Sequence, residues 1–279
     1  LNFMNKRGTF SIDSSDTTFY DRRLLLHRLT FEKIRADLIW ENYEDKFKLS
    51  ISEGSYANGH MMGRIQADFD EADESFELKL HVDEMEASHF WKYLPSKAPK
   101  TSKWMKKSIK SGSLSNVTLV WSAPVESLKS RKLPNLDDIV GTGYLSDVKL
   151  DYARKWPVIN NLGGELKLSN RRISMAADSG NVHDINIKGS KARVHNLGTK
   201  KEYLFLLGRG TGPVNGFHEF ILNSPLAKKH SELINKIRAD GIGHVGFEYE
   251  LPFREKNRRK FSGDYQAVGS FWSLDEKPT

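Results

Sequence analysis

Nine histidines and a scatter of carboxylates are the side chains from which a catalytic or metal site would have to be built. The histidines form neither an H-E-x-x-H motif nor an H-x₃₋₅-H zinc spacing. His183-Asp184 and His218-Glu219 are adjacent pairs, and neighbours on a strand point to opposite faces, so neither is a ready-made acid–base couple. No G-x-S-x-G elbow occurs. Cysteine is absent, which excludes a thiolate nucleophile, thiolate zinc ligation, iron–sulfur ligation and disulfides. Asp68, Asp70 and Asp73 start like a calcium loop but lack its sixth-position Gly and twelfth-position Glu. A solvated strand edge and turn accounts for them.

Gly241-Ile242-Gly243-His244-Val245-Gly246 spells G-x-G-x-x-G, yet the dinucleotide version follows a strand and opens a helix. Here a helix is expected before it and a strand after, so it reads as a helix stop and turn. Gly208-Arg209-Gly210-Thr211-Gly212 lacks the Lys-Ser/Thr ending of a phosphate loop and reads as a flexible strand connection. No metal, nucleotide, cofactor or catalytic dependence is expected. A hydrolase assembled from dispersed residues stays as a distant alternative.

What remains is apolar chemistry, and strands must position it. Ile34, Ala36, Leu38 and Trp40 alternate with polar residues, as do Phe47, Leu49 and Ile51. The same period holds for Phe76, Leu78, Leu80 and Val82, for Val117, Leu119 and Trp121, and for Val148, Leu150 and Tyr152. Leu166 and Leu168, Ile185 and Ile187, and Val245, Phe247, Tyr249 and Leu251 continue it. Such alternation predicts strands with one apolar and one wet face, the pattern of antiparallel sheet. Gly54 to Gly59 and Ser179-Gly180-Asn181 read as turns between them. Tyr203 to Leu207 reads as a strand buried on both faces.

Helices are few. Glu86 to Tyr93 is a short candidate ended by Pro95. Thr101 to Lys110 is another, with Ser102 as cap and Gly112 as stop. Ser224 to Asp240 is the third, with Ser224 as N-cap, Pro225 in the first turn and Gly241 beyond the end. A division falls near Ser130 to Asn135, giving segments 1–130 and 131–279. The chain has 279 residues, 38% of them hydrophobic, too apolar for disorder and with no run long enough for a membrane-spanning helix. Lys plus Arg number 43 against 36 Asp plus Glu, a net +7 that reads as spread along the chain and weak support for a polyanion partner. Nucleic acid is not an expected partner. Lys100, Lys103, Lys106, Lys107 and Lys110 surround Trp104 and Met105. A membrane-surface helix would look like this, but packing of Trp104 onto a sheet is the preferred reading. Arg254 to Lys260 reads as a wet hairpin tip.

Several stretches together resemble the YhdP branch of the AsmA-like envelope proteins. One is His89-Phe90-Trp91-Lys92-Tyr93-Leu94-Pro95, followed by the Trp104 helix and Gly112-Ser113-Leu114-Ser115-Asn116-Val117. Another is Leu150-Asp151-Tyr152-Ala153-Arg154-Lys155-Trp156-Pro157-Val158-Ile159, continuing through Gly164 and Leu166 to Ala176 and Gly180. A third is Asn223-Ser224-Pro225-Leu226. They lie in the family's order and cover about residues 85 to 279, more weakly 30 to 84. The resemblance implies a mainly β fold: a long, curved, open antiparallel sheet with an apolar groove and two or three helical inserts. It further implies a periplasmic segment of a longer protein anchored in the inner membrane, taking part in phospholipid transport and outer-membrane homeostasis. Its partners would be phospholipid acyl chains and neighbouring segments of the same chain. The candidate groove lining is Leu78, Leu80, Val117, Leu119, Leu166, Leu168, Ile185, Ile187, Phe247 and Tyr249. The alternations equally suit a closed β-sandwich used for binding or scaffolding, and both readings stand at this point.

Overall fold

The computed structural model describes residues 6–22, 25–43, 46–129 and 135–274. Strand makes up 64% of the protein and helix 16%, so the mainly β expectation holds. Two compact units divide the chain: 1–106, 113–144 and 167–171 form the first, and 107–112, 145–166 and 172–279 the second. The expected division near Ser130 lies largely on residues outside those described.

The elements run in order as β1 (Lys6–Phe19), β2 (Leu29–Tyr43), β3 (Lys46–Asn58), β4 (Met61–Asp70) and β5 (Ser75–Glu86). A 3₁₀ helix (Ala87–Tyr93) and α1 (Pro99–Ser108) precede β6 (Ile109–Pro124), α2 (Val125–Lys129) and β7 (Ile139–Leu150). Then come β8 (Ile159–Ser169), β9 (Arg172–Val182), β10 (Ile185–Asn186), β11 (Lys191–His195) and β12 (Tyr203–Pro213). Helices α3 (Val214–Leu222) and α4 (Ala227–Lys236) lead into β13 (Ile237–Pro252) and β14 (Lys260–Leu274). All fourteen strands join one sheet in which hydrogen-bonded neighbours follow chain order, except that β10 and β11 both lie between β9 and β12. Every described ladder is antiparallel. The strands thus belong to one continuous sheet and not to two separate ones, as the curved-sheet expectation has it.

Several local expectations need correction. Gly54 to Ala57 is not a turn but the end of β3, where a register shift between Ile51 and Gly54 absorbs extra residues as a bulge. Ser179 to Asn181 lies inside β9. Gly208 to Gly212 is the body of β12, not a connection, and the G-x-G-x-x-G run lies within β13, not at a turn. The predicted helix from Ser224 to Asp240 is only Ala227–Lys236, because its last residues enter β13. Ser224 does accept the Leu226 N–H at 3.2 Å, as a capping side chain should. Ser102, expected to cap α1, sits inside it and donates to the Trp91 carbonyl at 3.1 Å. Trp104, expected to pack onto a sheet, is 46% exposed, and the buried positions of α1 are Ser102 and Ser108, with Met105 half-buried between them at three-residue spacing. Residues 187–190 turn rather than continue β10, with the Ser190 N–H bonded to the Ile187 carbonyl at 3.1 Å. Tyr152 lies past the end of β7.

The first unit's core sits at one end of its sheet. Met61, Val82 and Met85 are buried there under Phe90 and Tyr93 of the 3₁₀ helix, with Phe31, Tyr56 and Val117 packed alongside. Each such fully buried side chain contributes on the order of 1.5–3 kcal/mol. In the second unit, Ile185 and Val214 are buried, and Phe217 of α3 meets Tyr265 of β14 edge-on at 5.3 Å.

Candidate functional site: the apolar sheet face

In an antiparallel ladder, residues directly opposite one another share a face. The registers of the first unit therefore assemble rows across neighbouring strands. Phe10, Leu38, Ile51, Ala67, Leu78 and Trp121 form one row from β1 to β6. Ile12, Ala36, Gly54, Ile65, Leu80 and Leu119 form the next. Trp40, Leu49, Phe69, Phe76 and Ala123 flank them on one side, and Ile34, Tyr56, Gly63, Val82 and Val117 on the other. No charged side chain interrupts these four rows. Aromatic edges stiffen one end of the face, with Phe76 against Trp121 at 5.0 Å and Phe47 against Phe69 at 6.3 Å. The Trp121 indole N–H is buried without a hydrogen-bond partner, a deficit worth about 1–3 kcal/mol.

The opposite face of this unit is ionic. Arg7 pairs with Glu41 at 3.2 Å, Arg35 with Asp13 at 3.0 Å, Lys48 with Asp70 at 3.1 Å and Arg64 with Asp83 at 2.8 Å. The bond from Lys48 holds the Asp70 carboxyl below its usual range, and Asp70 raises the Lys48 ammonium in turn. Asp70 also accepts the Ala72 and Asp73 N–H groups, so the aspartate series belongs to a strand end and turn. A hollow on this face is lined by Arg7, Glu41, Lys48, Gln66, Asp68 and Lys79 among others, a setting that suits water and ions and not hydrocarbon.

Four of the predicted lining residues thus share one face: Leu78, Leu80, Val117 and Leu119, all half-buried. Phe247 and Tyr249 share a face of the second unit with Leu206 and Phe261, in a row that reaches Ala192 and Met175. Leu166 and Leu168 are half-buried on β8 and alternate with exposed Glu165 and Lys167. Ile185 is buried beside Gly210 and Gly212, whereas Ile187 stands in the turn and packs near Gly180 and Leu162. The alternation did not reveal Phe10 and Ile12, whose strand is rich in Ser, Thr and Asp, and Ile65 and Phe69 of β4 were also missed. Period-two spacing of the apolar residues in Met61–Asp70 was the signal available.

A family model, described as YhdP protein, matches residues 1–277. The chain belongs to the YhdP family. The match takes in the N-terminal strands as well as the region of stronger motif resemblance. No curated protein and no solved structure matches the chain. The YhdP motifs fall on structural junctions. Phe90 and Tyr93 of the first motif close the end of the apolar face, and the Tyr93 hydroxyl accepts from Asn58 Nδ2 at 3.0 Å. Tyr152 and Trp156 of the second lie 6.4 Å apart, and Trp156 reaches Phe220 of α3 at 5.8 Å, holding the β7–β8 connection against that helix. Asn223 and Ser224 of the third form the break between α3 and α4.

Proposed function

We propose that this YhdP-family segment is a non-catalytic, periplasmic β-groove module that carries phospholipid acyl chains between the inner and outer membranes. It would act within a longer, inner-membrane-anchored polypeptide. The observation behind this reading is the uninterrupted apolar face of the first unit, whose Met61, Val82 and Met85 end is packed by Phe90 and Tyr93 of the 3₁₀ helix. An apolar face wide enough to span six strands calls for a covering layer. Hydrocarbon tails supply one, at roughly 0.8 kcal/mol per buried CH₂. The ionic ladder on the opposite face keeps that side in water. No helix among the described residues is long and apolar enough to cross a membrane.

The test is Leu78→Asp and Leu119→Asp, one variant at a time, scored for photo-crosslinked phospholipid and for thermal melting. Both residues are half-buried, so the aspartate retains access to solvent and the cooperative melt survives, lowered by about 1–3 kcal/mol. Crosslinking falls sharply because a charge now faces hydrocarbon. Parent protein that never captures lipid, or variants that capture it undiminished, would sink the proposal.

A further inference from the structure

Seven lysines lie between Glu86 and Glu126, with no arginine and no acidic residue among them. They are Lys92, Lys97, Lys100, Lys103, Lys106, Lys107 and Lys110. The other 36 basic residues match the 36 acidic ones, so this one segment carries the chain's entire net charge of +7. This run of lysines without a counter-charge lies in the 3₁₀ helix, α1, the link between them and the start of β6.

Helix α1 is held firmly from below. Ser102 is buried and bonds the Trp91 carbonyl, and Trp91 meets His27 edge-on at 4.7 Å. Lys106 Nζ rests 4.5 Å over the Trp91 ring. Those contacts fix one side of the helix. The other side presents Lys100, Lys103 and Trp104 to solvent. An indole among lysines matches a bilayer interface, where the ring lies at headgroup level and ammonium groups meet phosphates.

We propose that this side of α1 seats the protein on an anionic phospholipid bilayer surface. Charge complementarity selects the occupant. A single helix of ten residues with one exposed indole buries little apolar area, so the lysines must supply most of the affinity. Attraction of that kind fades with salt as the screening length shortens. Seating is separate from acyl binding on the sheet, because none of its residues lies in the apolar rows.

The experiment sediments the full chain with phosphatidylglycerol–phosphatidylcholine vesicles and with phosphatidylcholine alone, at low and high salt. Each lysine near an anionic surface is worth roughly a five-fold change in partitioning, so Lys100→Gln with Lys103→Gln should reduce binding by about ten-fold or more. Trp104→Ala should weaken it several-fold with an unchanged melt. Leu119→Asp should bind vesicles like the parent, which separates failure of seating from failure of acyl binding. Equal binding to uncharged vesicles, or variants that bind as well as the parent, overturns the proposal. So does equally tight retention on a single-stranded RNA that Trp104→Ala does not disturb, since that would mark a general polyanion surface.

Discussion

His60 faces His89 with ring centroids 4.0 Å apart, and Lys92 Nζ lies 3.3 Å from its Nε2. Burial first, then the Lys92 and His89 charges, hold its pKa below the ordinary 6.5. A histidine shifted down binds its proton more readily in the unfolded chain. Its contribution is therefore fully present above about pH 6.5 and is lost as pH falls through that value towards the folded pKa. His195 and His218 are shifted the same way, His218 by burial and His195 by burial with Arg172 and Arg193 beside it. Melting temperature should drop between pH 7.5 and 5.5, above the range where carboxylates such as Asp70 titrate. His60→Gln should shrink that drop; an unchanged pH dependence in the variant would refute the assignment. Tyr56 works differently: its hydroxyl donates to the His81 carbonyl at 3.0 Å, and burial pushes the phenol up to about 12, so it stays neutral throughout this window.

At the scale of elements, strands here are shaped by what glycine lets a neighbour do. Gly208 lies directly opposite Phe247, and a Cβ on Gly208 would overlap the Phe247 ring. A Cβ on Gly243 would likewise come within 2.6 Å of the Tyr265 hydroxyl and 2.8 Å of the Phe217 ring. Gly208→Ala should cost about 1–3 kcal/mol in a denaturant titration, as overpacking does. Pairing it with Phe247→Leu should recover part of that loss, and strictly additive effects would refute the contact. These glycines also mark where the sequence was hardest to read. Alternating Gly in a strand looks like a loop until the facing aromatic is known, and that aromatic is some forty residues away. The apolar rows were legible at Leu78, Leu80, Val117 and Leu119 because each alternates with polar residues inside its own strand. β1 was not, since SIDSSDTTF shows only isolated apolar residues and gains its identity from pairing with β2. Helix α3 was hidden by Pro213, Asn215 and Gly216 at its start, although Phe217, Phe220 and Ile221 have helical spacing.

At the scale of the whole molecule, two strands lack a second neighbour among the described residues: β1 in the first unit and β14 in the second. Both are long, and both end an apolar face, with Ile12 at 41% and Phe261 at 70% exposure. Unprotected edges of this kind template pairing between chains. The isolated chain should elute earlier from gel filtration as its concentration rises, and Ile12→Lys with Phe261→Lys should suppress the shift. Concentration-independent elution of the parent would show that neither edge is available.

Strand order that follows chain order has a further consequence, for the way the molecule is made. Nearly every strand finds its partner in the segment just before it, so most closures span a short loop and cost little entropy, the helical inserts before β6, β7 and β13 being the longer ones. A polypeptide emerging end-first, from a ribosome or through a membrane pore, can lay each strand onto a finished edge without waiting for its far terminus. Growth is vectorial, and the advancing margin is always the newest strand. Such a sheet can also lengthen by one hairpin at a time, since an added pair disturbs only the two strands it separates.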